Sequence, residues 1–215
     1  IQSLMKLDPI TREQLLSGNW DVRPEGGLFK REWLKLTDAL PKHMPLCRYW
    51  DKAATEGGGD WTAGALVGID RGQVYVLDIK RTQSRPAGVE ALILQTAQMD
   101  GPEVMIRMEQ EPGSAGVDVI DHYARQVLVG YNFKGIKSTG SKVSRAAALS
   151  TAAEQGNLFI LHSHFTGALM DELVLFPTEG AHDDQVDAVA GGYNALALRP
   201  NSGFRAAGRK MESKT

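Results

Sequence analysis

The chain alternates short apolar runs with longer stretches in which apolar residues recur at helical spacing. Three runs with short polar links come first, and this pattern predicts an antiparallel meander of strands at 48–51, 62–69 and 74–79. Single strands then alternate with helices. The further strands are predicted at 104–108, 131–136 and 158–161, and the helices at 86–99, 117–128, 144–156, 167–176 and from about 183 to 198. This order predicts an α/β fold with a mixed central sheet that contains the meander and carries helices on both faces.

Local composition divides the chain into three parts. The predicted division is a lead-in at 1–40, a main domain at 41–198 and a flexible tail at 199–215. Within the lead-in, residues 8–16 have the pattern of a short capped helix and residues 28–34 that of a strand or short helix, while Pro41 and Pro45 mark the boundary. The tail is poor in apolar residues and rich in Gly, Ser, Lys and Arg, which is typical of disorder.

Overall composition limits the class of protein. The 215 residues are 42% hydrophobic and 23% charged, as in ordinary soluble globular proteins, and no apolar run is long enough to span a membrane. The net charge of −2 does not by itself favour nucleic-acid binding, although a local basic stripe is enough for it. Cys47 is the single cysteine, which excludes an internal disulfide and a cysteine-based zinc site and fits a reducing compartment.

The most unusual chemistry lies in the segment Ala-His-Asp-Asp-Gln-Val-Asp-Ala at 181–188, where the last helix is predicted to begin. Its carboxylates are Asp183, Asp184 and Asp187, and on a helix Asp187 shares a face with either of the other two. One acid at a helix start is explained by capping and by the helix dipole. Three like charges within five residues cost free energy unless a cation lies among them, so the segment predicts a divalent-metal site.

Two further acids end predicted strands. Asp51 follows an aromatic run and Glu109 follows the apolar run at 104–108, and we expect these two strands to be neighbours. Each acid taken alone fits a plain strand end or a solvated loop. Together with the 181–188 segment they fit a nuclease in which carboxylates from separate elements bind two Mg²⁺ ions about 3.5–4 Å apart.

Several segments of the chain recur in the same order in one protein family. They are Tyr-Trp-Asp-Lys-Ala-Ala at 49–54, Gly-Asp-Trp-Thr-Ala at 59–63, Glu-Gln-Glu-Pro-Gly-Ser-Ala-Gly at 109–116, Thr-Gly-Ser-Lys at 139–142, Arg-Ala at 145–146 and His-Asp-Asp-Gln-Val-Asp-Ala at 182–188. With these motifs, residues 28–198 resemble the C-terminal nuclease domain of the large terminase subunit of tailed bacteriophages. The family pattern has a hydrophobic residue in place of Lys52 and an acid in place of Ser141, so details of substrate contact are expected to differ.

The resemblance implies an RNase H-like fold and a metal-dependent endodeoxyribonuclease, using Mg²⁺ or Mn²⁺ at a two-metal site, that cuts concatemeric viral DNA during genome packaging. By motif position, it implies that Asp51, Glu109 and Asp183 are catalytic metal ligands, with Asp184 and Asp187 as close competitors.

The resemblance also implies the setting of this activity. The substrate is double-stranded DNA, and the partners of the full-length protein are the portal protein and the small terminase subunit, on the procapsid in the host cytoplasm. The isolated domain is expected to be a monomer. The family's N-terminal half is a packaging ATPase, and since no P-loop motif occurs in this sequence, the lead-in is expected to be the end of that half or its linker.

A group of basic residues surrounds a glycine-containing loop before the helix at 144–156. Its members are Lys134, Lys137, Lys142 and Arg145. Next to an acidic metal site such a group would bind the DNA backbone, whereas for any single lysine a solvated surface is the simpler interpretation. Cations at a helix start are not favoured by the dipole, which supports a phosphate-binding role for the last two.

Other candidates are weaker. Asp78 alternates with Val76, which predicts that both face the same side of the sheet, with a structural hydrogen bond at least as plausible as metal binding. His162 and His164 lack a third imidazole, so packing or surface exposure is favoured over a metal site. His182 fits equally well a role in orienting a carboxylate and a simple cap.

Two alternative functions remain open at this stage. One keeps the fold and changes the substrate, as in a Holliday-junction resolvase or a transposase-like strand transferase, and fold alone does not separate these enzymes. The other is a non-catalytic module that clamps or docks DNA and whose acids hold only a structural ion. Cleavage of plain linear duplex DNA would favour the terminase.

Overall fold

The computed structural model describes residues 27–53 and 61–197, and their strands form one seven-stranded sheet. The strands are β1 Lys35–Thr37, β2 Leu46–Asp51, β3 Thr62–Asp70, β4 Gln73–Thr82, β5 Met105–Gln110, β6 Phe133–Lys137 and β7 Leu158–Leu161. The helices are α1 Pro86–Asp100, α2 Ser114–His122, α3 Lys142–Glu154, α4 Thr166–Leu175 and α5 Asp184–Ala197, with a 3₁₀ turn at Arg31–Trp33 and a π-helical turn at Tyr123–Val127.

The order of strands across the sheet is β1-β7-β4-β3-β2-β5-β6. Strands β2, β3 and β4 form an antiparallel meander, β5 and β6 continue parallel to β2, and β7 and β1 continue parallel to β4. The predicted mixed sheet with a meander is therefore confirmed, and so is the expectation that the strands ending in Asp51 and Glu109 are neighbours.

Successive side chains of a strand point to opposite faces, and here both faces are covered. Cys47 and Tyr49 of β2 belong to the core formed with α3, α4 and α5, whereas Trp50 belongs to the core formed with α1, α2 and the π-helical turn. The prediction of helices on both faces is confirmed. Asp51 lies two residues after Tyr49 and so shares the face of α5.

The structure differs from the sequence prediction at some elements. Strand β1 was not predicted, and it pairs with β7 at the edge of the sheet. Within the predicted 28–34 segment the structure has a 3₁₀ turn, and Phe29 and Leu34 are buried in the same core as α4, so this part of the predicted lead-in packs with the sheet. The predicted helix at 8–16 and the predicted tail at 199–215 lie outside the described residues, as do residues 54–60, which include Asp60.

The start of α2 also differs from the prediction, because the helix begins at Ser114 rather than Val117. A Cβ atom on Gly116 would lie 2.1 Å from the carbonyl oxygen of Glu111, so the glycine lets the helix begin directly against the end of β5.

On the α1 face, a buried ion-pair network surrounds Arg48. Its guanidinium donates to both carboxylate oxygens of Asp100 at 2.8 Å and lies 2.8 Å from Asp78. The predicted shared face of Asp78 and Val76 is wrong, because the register between β3 and β4 shifts at a β-bulge there and turns Asp78 to the Arg48 side. Its predicted structural hydrogen-bonding role is confirmed by these contacts.

Candidate active site

The first two carboxylates of the site lie at the ends of neighbouring parallel strands. Trp50 of β2 is in register with Met108 of β5, so the next residue along each strand, Asp51 and Glu109, occupies the same edge of the sheet. Alternation from Tyr49 turns both carboxylates to the face that α5 covers. Two rigid strands therefore hold two acids side by side.

Helix α5 brings the acids of the 181–188 segment to the same edge. It crosses β2 and β3 closely enough that a Cβ atom on Gly191 would lie 2.3 Å from the Tyr49 ring, and one on Gly192 2.9 Å from Val67. These glycines let the helix backbone lie against the sheet. As a result the first turn of α5 carries Asp187, whose side chain is only 2% exposed, to the carboxyl end of β2 and β5.

Two cations from α3 lie among these acids. The Nζ atom of Lys142 donates to Asp183 at 2.7 Å and lies 2.9 Å from Asp187. An Nη atom of Arg145 donates to Asp187 at 3.0 Å and lies 3.8 Å from Glu109. Because Lys142 and Arg145 are three residues apart, they share one face of the helix. The helix dipole does not favour cations at this end, and their carboxylate partners explain their position.

Electrostatics at the site reflects the crowding of negative charge. Burial, followed by the charges of Glu109 and Asp187, raises the pKa of Asp51 from 3.8 to about 8. Burial alone would lower the pKa of Lys142, but its hydrogen bonds to Asp183 and Asp187 outweigh that effect and raise it. The metal-free site thus favours a protonated Asp51 and a fully charged Lys142.

Asp184 has a different environment from its neighbours. It lies 3.3 Å from an Nη atom of Arg81, which is also 3.4 Å from Glu172 and stacks over the Trp61 ring at 4.5 Å. His182 lies 3.8 Å from Asp184, beyond hydrogen-bond distance, with its side chain mostly exposed. The structure therefore groups Asp51, Glu109, Asp183 and Asp187 around the α3 cations and holds Asp184 beside them on Arg81.

The predicted basic group is divided in the structure. Only Lys142 and Arg145 lie among the acids. Lys134 and Lys137 are exposed on β6, and their spacing of three residues along a strand turns them to opposite faces of the sheet. Lys137 lines a cleft of about 280 Å³ together with Gln110 and Glu111, just beyond the end of β5. A second cleft, of about 190 Å³, lies beside Lys142 and Asp183.

The remaining candidates lie away from this centre. His162 is exposed and lies 3.5 Å from Asp38, and the His164 ring packs edge-on against Phe165, in agreement with the favoured surface and packing interpretation.

Sequence reasoning missed Glu172 and its partner Arg81. Glu172 belongs to α4, and its buried side chain contacts the start of α5. A signal was present, because Glu172 lies between Leu169 and Leu173 on the apolar face of a helix. An acid at such a position is rarely buried without partners.

The donor set fits a hard divalent cation. All the grouped side chains are carboxylates, and oxygen ligands are those that Mg²⁺ and Mn²⁺ prefer. The Lys142 ammonium already bridges two of them, Asp183 and Asp187, so a cation held by this pair would have to displace it. Within the described part of the chain, no three acidic, histidine or cysteine side chains are grouped tightly enough to hold an ion as they stand. Binding of a metal would therefore require the α3 cations to move aside.

A comparison with protein families assigns this fold to a class. The model of the terminase RNase H-like domain matches residues 48–196, which is well over half of the chain. The chain therefore belongs to the terminase RNase H-like domain family, and the resemblance and the RNase H-like fold predicted from the sequence are confirmed. No curated protein matches the chain significantly.

Solved structures with the same fold include several terminase nucleases. The nuclease domain of Thermus phage P74-26 is 15% identical with a TM-score of 0.58, covering 83% of this chain and 100% of that one. The P22 domain is 15% identical with a TM-score of 0.58, covering 80% and 92%. The nuclease of thermophilic phage G20c with bound magnesium is 16% identical with a TM-score of 0.57, covering 80% and 98%. At these identities the likeness shows the fold alone.

No helix within the described ranges 27–53 and 61–197 has the length and apolar character needed to cross a membrane.

Proposed function

We propose that this domain is a metal-dependent DNA endonuclease that cuts concatemeric viral DNA during genome packaging. The observation that carries the proposal is the convergence of carboxylates from β2, β5 and the start of α5 around a shared positive charge. Membership of the terminase RNase H-like family supports a nuclease of the terminase type over a resolvase or a transposase.

The proposed metal ligands are Asp51, Glu109 and Asp183, with Asp187 and Asp184 next to them. Asp51 and Glu109 project from paired strands, so their separation is held by backbone hydrogen bonds and does not depend on loops. Bound Mg²⁺ or Mn²⁺ ions would supply an activated water and would neutralise charge on the scissile phosphate. Asp51 would have to give up its proton when it becomes a ligand, since metal binding selects the ionised carboxylate.

Lys142 and Arg145 are proposed to contact DNA phosphates once they leave the carboxylates. Both side chains are partly exposed, at 48% and 21%, and Lys142 lines one of the two clefts together with Asp183. Lys137 lines one of these clefts and would extend the same contact. The exposed Lys134 is a weaker candidate because it lies three residues before the end of β6, in register with Arg107 and set back from the edge that carries the acids.

In the full-length protein, we propose that the domain works with a packaging ATPase, the portal protein and the small terminase subunit on the procapsid in the host cytoplasm. This setting rests on family membership alone.

The test is cleavage of supercoiled plasmid and of plain linear duplex by the full 215-residue chain, with Mg²⁺, with Mn²⁺ or with EDTA. We expect metal-dependent cutting of both substrates that Asp51→Asn reduces by about 100-fold or more, because even groups that only support a metal ligand typically cost about 10- to 100-fold. The matched control is Asp118→Asn, the same chemical change at an exposed position of α2.

Cutting that survives in Asp51→Asn, or that continues in EDTA, would contradict the proposal. DNA binding by the folded protein without cleavage under any metal condition would instead favour the non-catalytic clamp.

A further inference from the structure

The backbone N–H groups in the first turn of α5 have no preceding helical turn to supply carbonyl acceptors. A helix normally satisfies some of them with the side chain of its N-cap residue. Asp183 is that residue here, because its carbonyl oxygen accepts the N–H of Asp187 at 2.9 Å. Its side chain does not act as the cap. The carboxylate accepts instead from Lys142 on α3 and points to the acidic centre.

Glu172 of α4 takes over the capping role. One of its oxygens accepts the backbone N–H of Gln185 at 2.6 Å and that of Val186 at 3.3 Å, and the other accepts the side-chain amide of Gln185 at 2.6 Å. The Glu172 side chain is 6% exposed, and its negative charge lies at the positive end of the α5 dipole. The N–H groups that Asp183 would otherwise bind are therefore already occupied by a carboxylate from another helix.

We propose that Glu172 is a positioning residue for the acidic centre. By capping α5 from outside, it leaves the Asp183 carboxylate free to face Asp187 and the metal site. Through Arg81, which lies 3.4 Å from Glu172 and 3.3 Å from Asp184, it also holds Asp184 in place. The metal-binding part of this inference rests on the proposed function, whereas the part about the orientation of Asp183 does not.

The first test is Mn²⁺ affinity of the full chain, measured by isothermal titration calorimetry. Glu172→Met keeps the length of the side chain but removes both acceptors, so Asp183 is expected to turn back onto the N–H groups of Gln185 and Val186. We expect Mn²⁺ affinity to fall by about 10- to 100-fold, the usual effect of removing a group that orients a metal ligand.

Loss of stability alone would also weaken binding, so a matched variant is needed. Asp100→Asn removes another buried carboxylate charge, the bidentate partner of Arg48 on the α1 face. It is expected to lower the melting temperature but to leave Mn²⁺ affinity within about twofold, because distant and independent sites do not couple. Equal losses of affinity in the two variants would overturn the positioning role.

A rescue variant tests the hydrogen bonds themselves. Glu172→Gln combined with Gln185→Glu exchanges donor and acceptor but keeps the side-chain pair, the cap acceptor and the net charge. Its Mn²⁺ affinity is expected to recover most of the loss seen in Glu172→Met, since the cap acceptor and the side-chain pair are restored, whereas the contact of Glu172 with Arg81 is not. An affinity as low as that of Glu172→Met would contradict the hydrogen-bonding argument.

A crystal structure of metal-free Glu172→Met separates the two hypotheses. The Asp183 carboxylate is expected to lie on the N–H groups of Gln185 or Val186, away from Lys142. If Asp183 stays on Lys142, the positioning role is wrong, whatever metal affinity is found. If the parent protein binds no Mn²⁺, the proposed metal-dependent function fails, and the orientation of Asp183 in the variant still decides the role of Glu172.

Discussion

Individual carboxylates in the acidic centre differ in what holds them. Asp187 is bound by both α3 cations, Asp183 by Lys142 and Asp184 by Arg81, whereas for Asp51 burial and negative neighbours outweigh the charge of Lys142. Charge in the metal-free site is therefore balanced at some positions and unbalanced at one.

Asp51 is expected to make the stability of the metal-free protein depend on pH. Its pKa is raised in the folded state to about 8, so the fold favours the protonated carboxyl. Its contribution to stability is complete below about pH 4 and is lost as the pH rises through about 8, at about 1.4 kcal/mol per pKa unit of difference. Asp51→Asn cannot ionise and should keep that contribution.

The measurement is the melting temperature in EDTA between pH 5 and pH 9. The melting temperature of Asp51→Asn should exceed that of the parent by an amount that grows with pH. This corresponds to about a few kcal/mol of unfolding free energy at the upper end. The exposed Asp118→Asn variant should follow the parent throughout. A difference that is constant with pH, or that shrinks, would show that Asp51 is ionised at neutral pH without a metal.

Lys142 is expected to compete with a metal ion, because its ammonium bridges Asp183 and Asp187. Lys142→Met should lower the melting temperature of the metal-free protein and raise its Mn²⁺ affinity by about three- to tenfold, a modest factor because solvent weakens a half-exposed ion pair. Calorimetric titration checks both this variant and Lys134→Met, an equal change outside the ion-pair network. Weaker Mn²⁺ binding in Lys142→Met would mean that the lysine supports the metal site.

At the scale of elements, the site depends on how closely α5 packs against the sheet. The acids of α5 reach the ends of β2 and β5 only because Gly191 and Gly192 let the helix backbone approach Tyr49 and Val67. The interior of a helix normally disfavours glycine by about 1 kcal/mol relative to alanine. The close packing of α5 against the sheet offsets this unfavourable helix propensity.

Gly191→Ala is therefore expected to destabilise the domain despite the better helix propensity of alanine. The new Cβ would lie 2.3 Å from a carbon of the buried Tyr49 ring, and such overpacking typically costs about 1–3 kcal/mol. Urea unfolding measures the effect. Gly167→Ala on α4 is the control, since nothing lies within 4 Å of the added atom, and it should be neutral or slightly stabilising. Equal stability of the two variants would mean that α5 adjusts its position freely.

At the scale of the whole molecule, the two faces of the sheet carry different charged clusters. On the α5 face, the cluster is partly exposed and combines five acids with the α3 cations and Arg81. On the α1 face, Arg48 is buried and fully paired with Asp78 and Asp100, which fits a purely structural network. Strand β2 contributes to both clusters, because side chains alternate along a strand and Arg48 and Asp51 therefore point to opposite faces. Mutations on the two faces can therefore separate effects on stability from effects on the proposed metal binding.

Much of this architecture follows from local sequence patterns. The spacing of apolar residues predicted the meander, the later alternation of strands and helices, and the strand ends at Asp51 and Glu109. It did so because burial on one face of a sheet or a helix imposes a regular spacing. Predictions failed where the cause is not local. Strand β1 is short and forms only against β7, and the bulge in the meander reverses the side that Asp78 faces.

The sequence by itself determined the family, through the terminase motifs, and it placed carboxylates at strand ends and at a helix start. Only the tertiary structure decided which groups meet. It brought Lys142 and Arg145 among the acids, left Lys134 and Lys137 outside, and recruited Glu172 as the cap of α5. The physical reason is that spacing along one element fixes which face a residue occupies, whereas contacts between elements depend on strand order, register and the close packing of helices on the sheet.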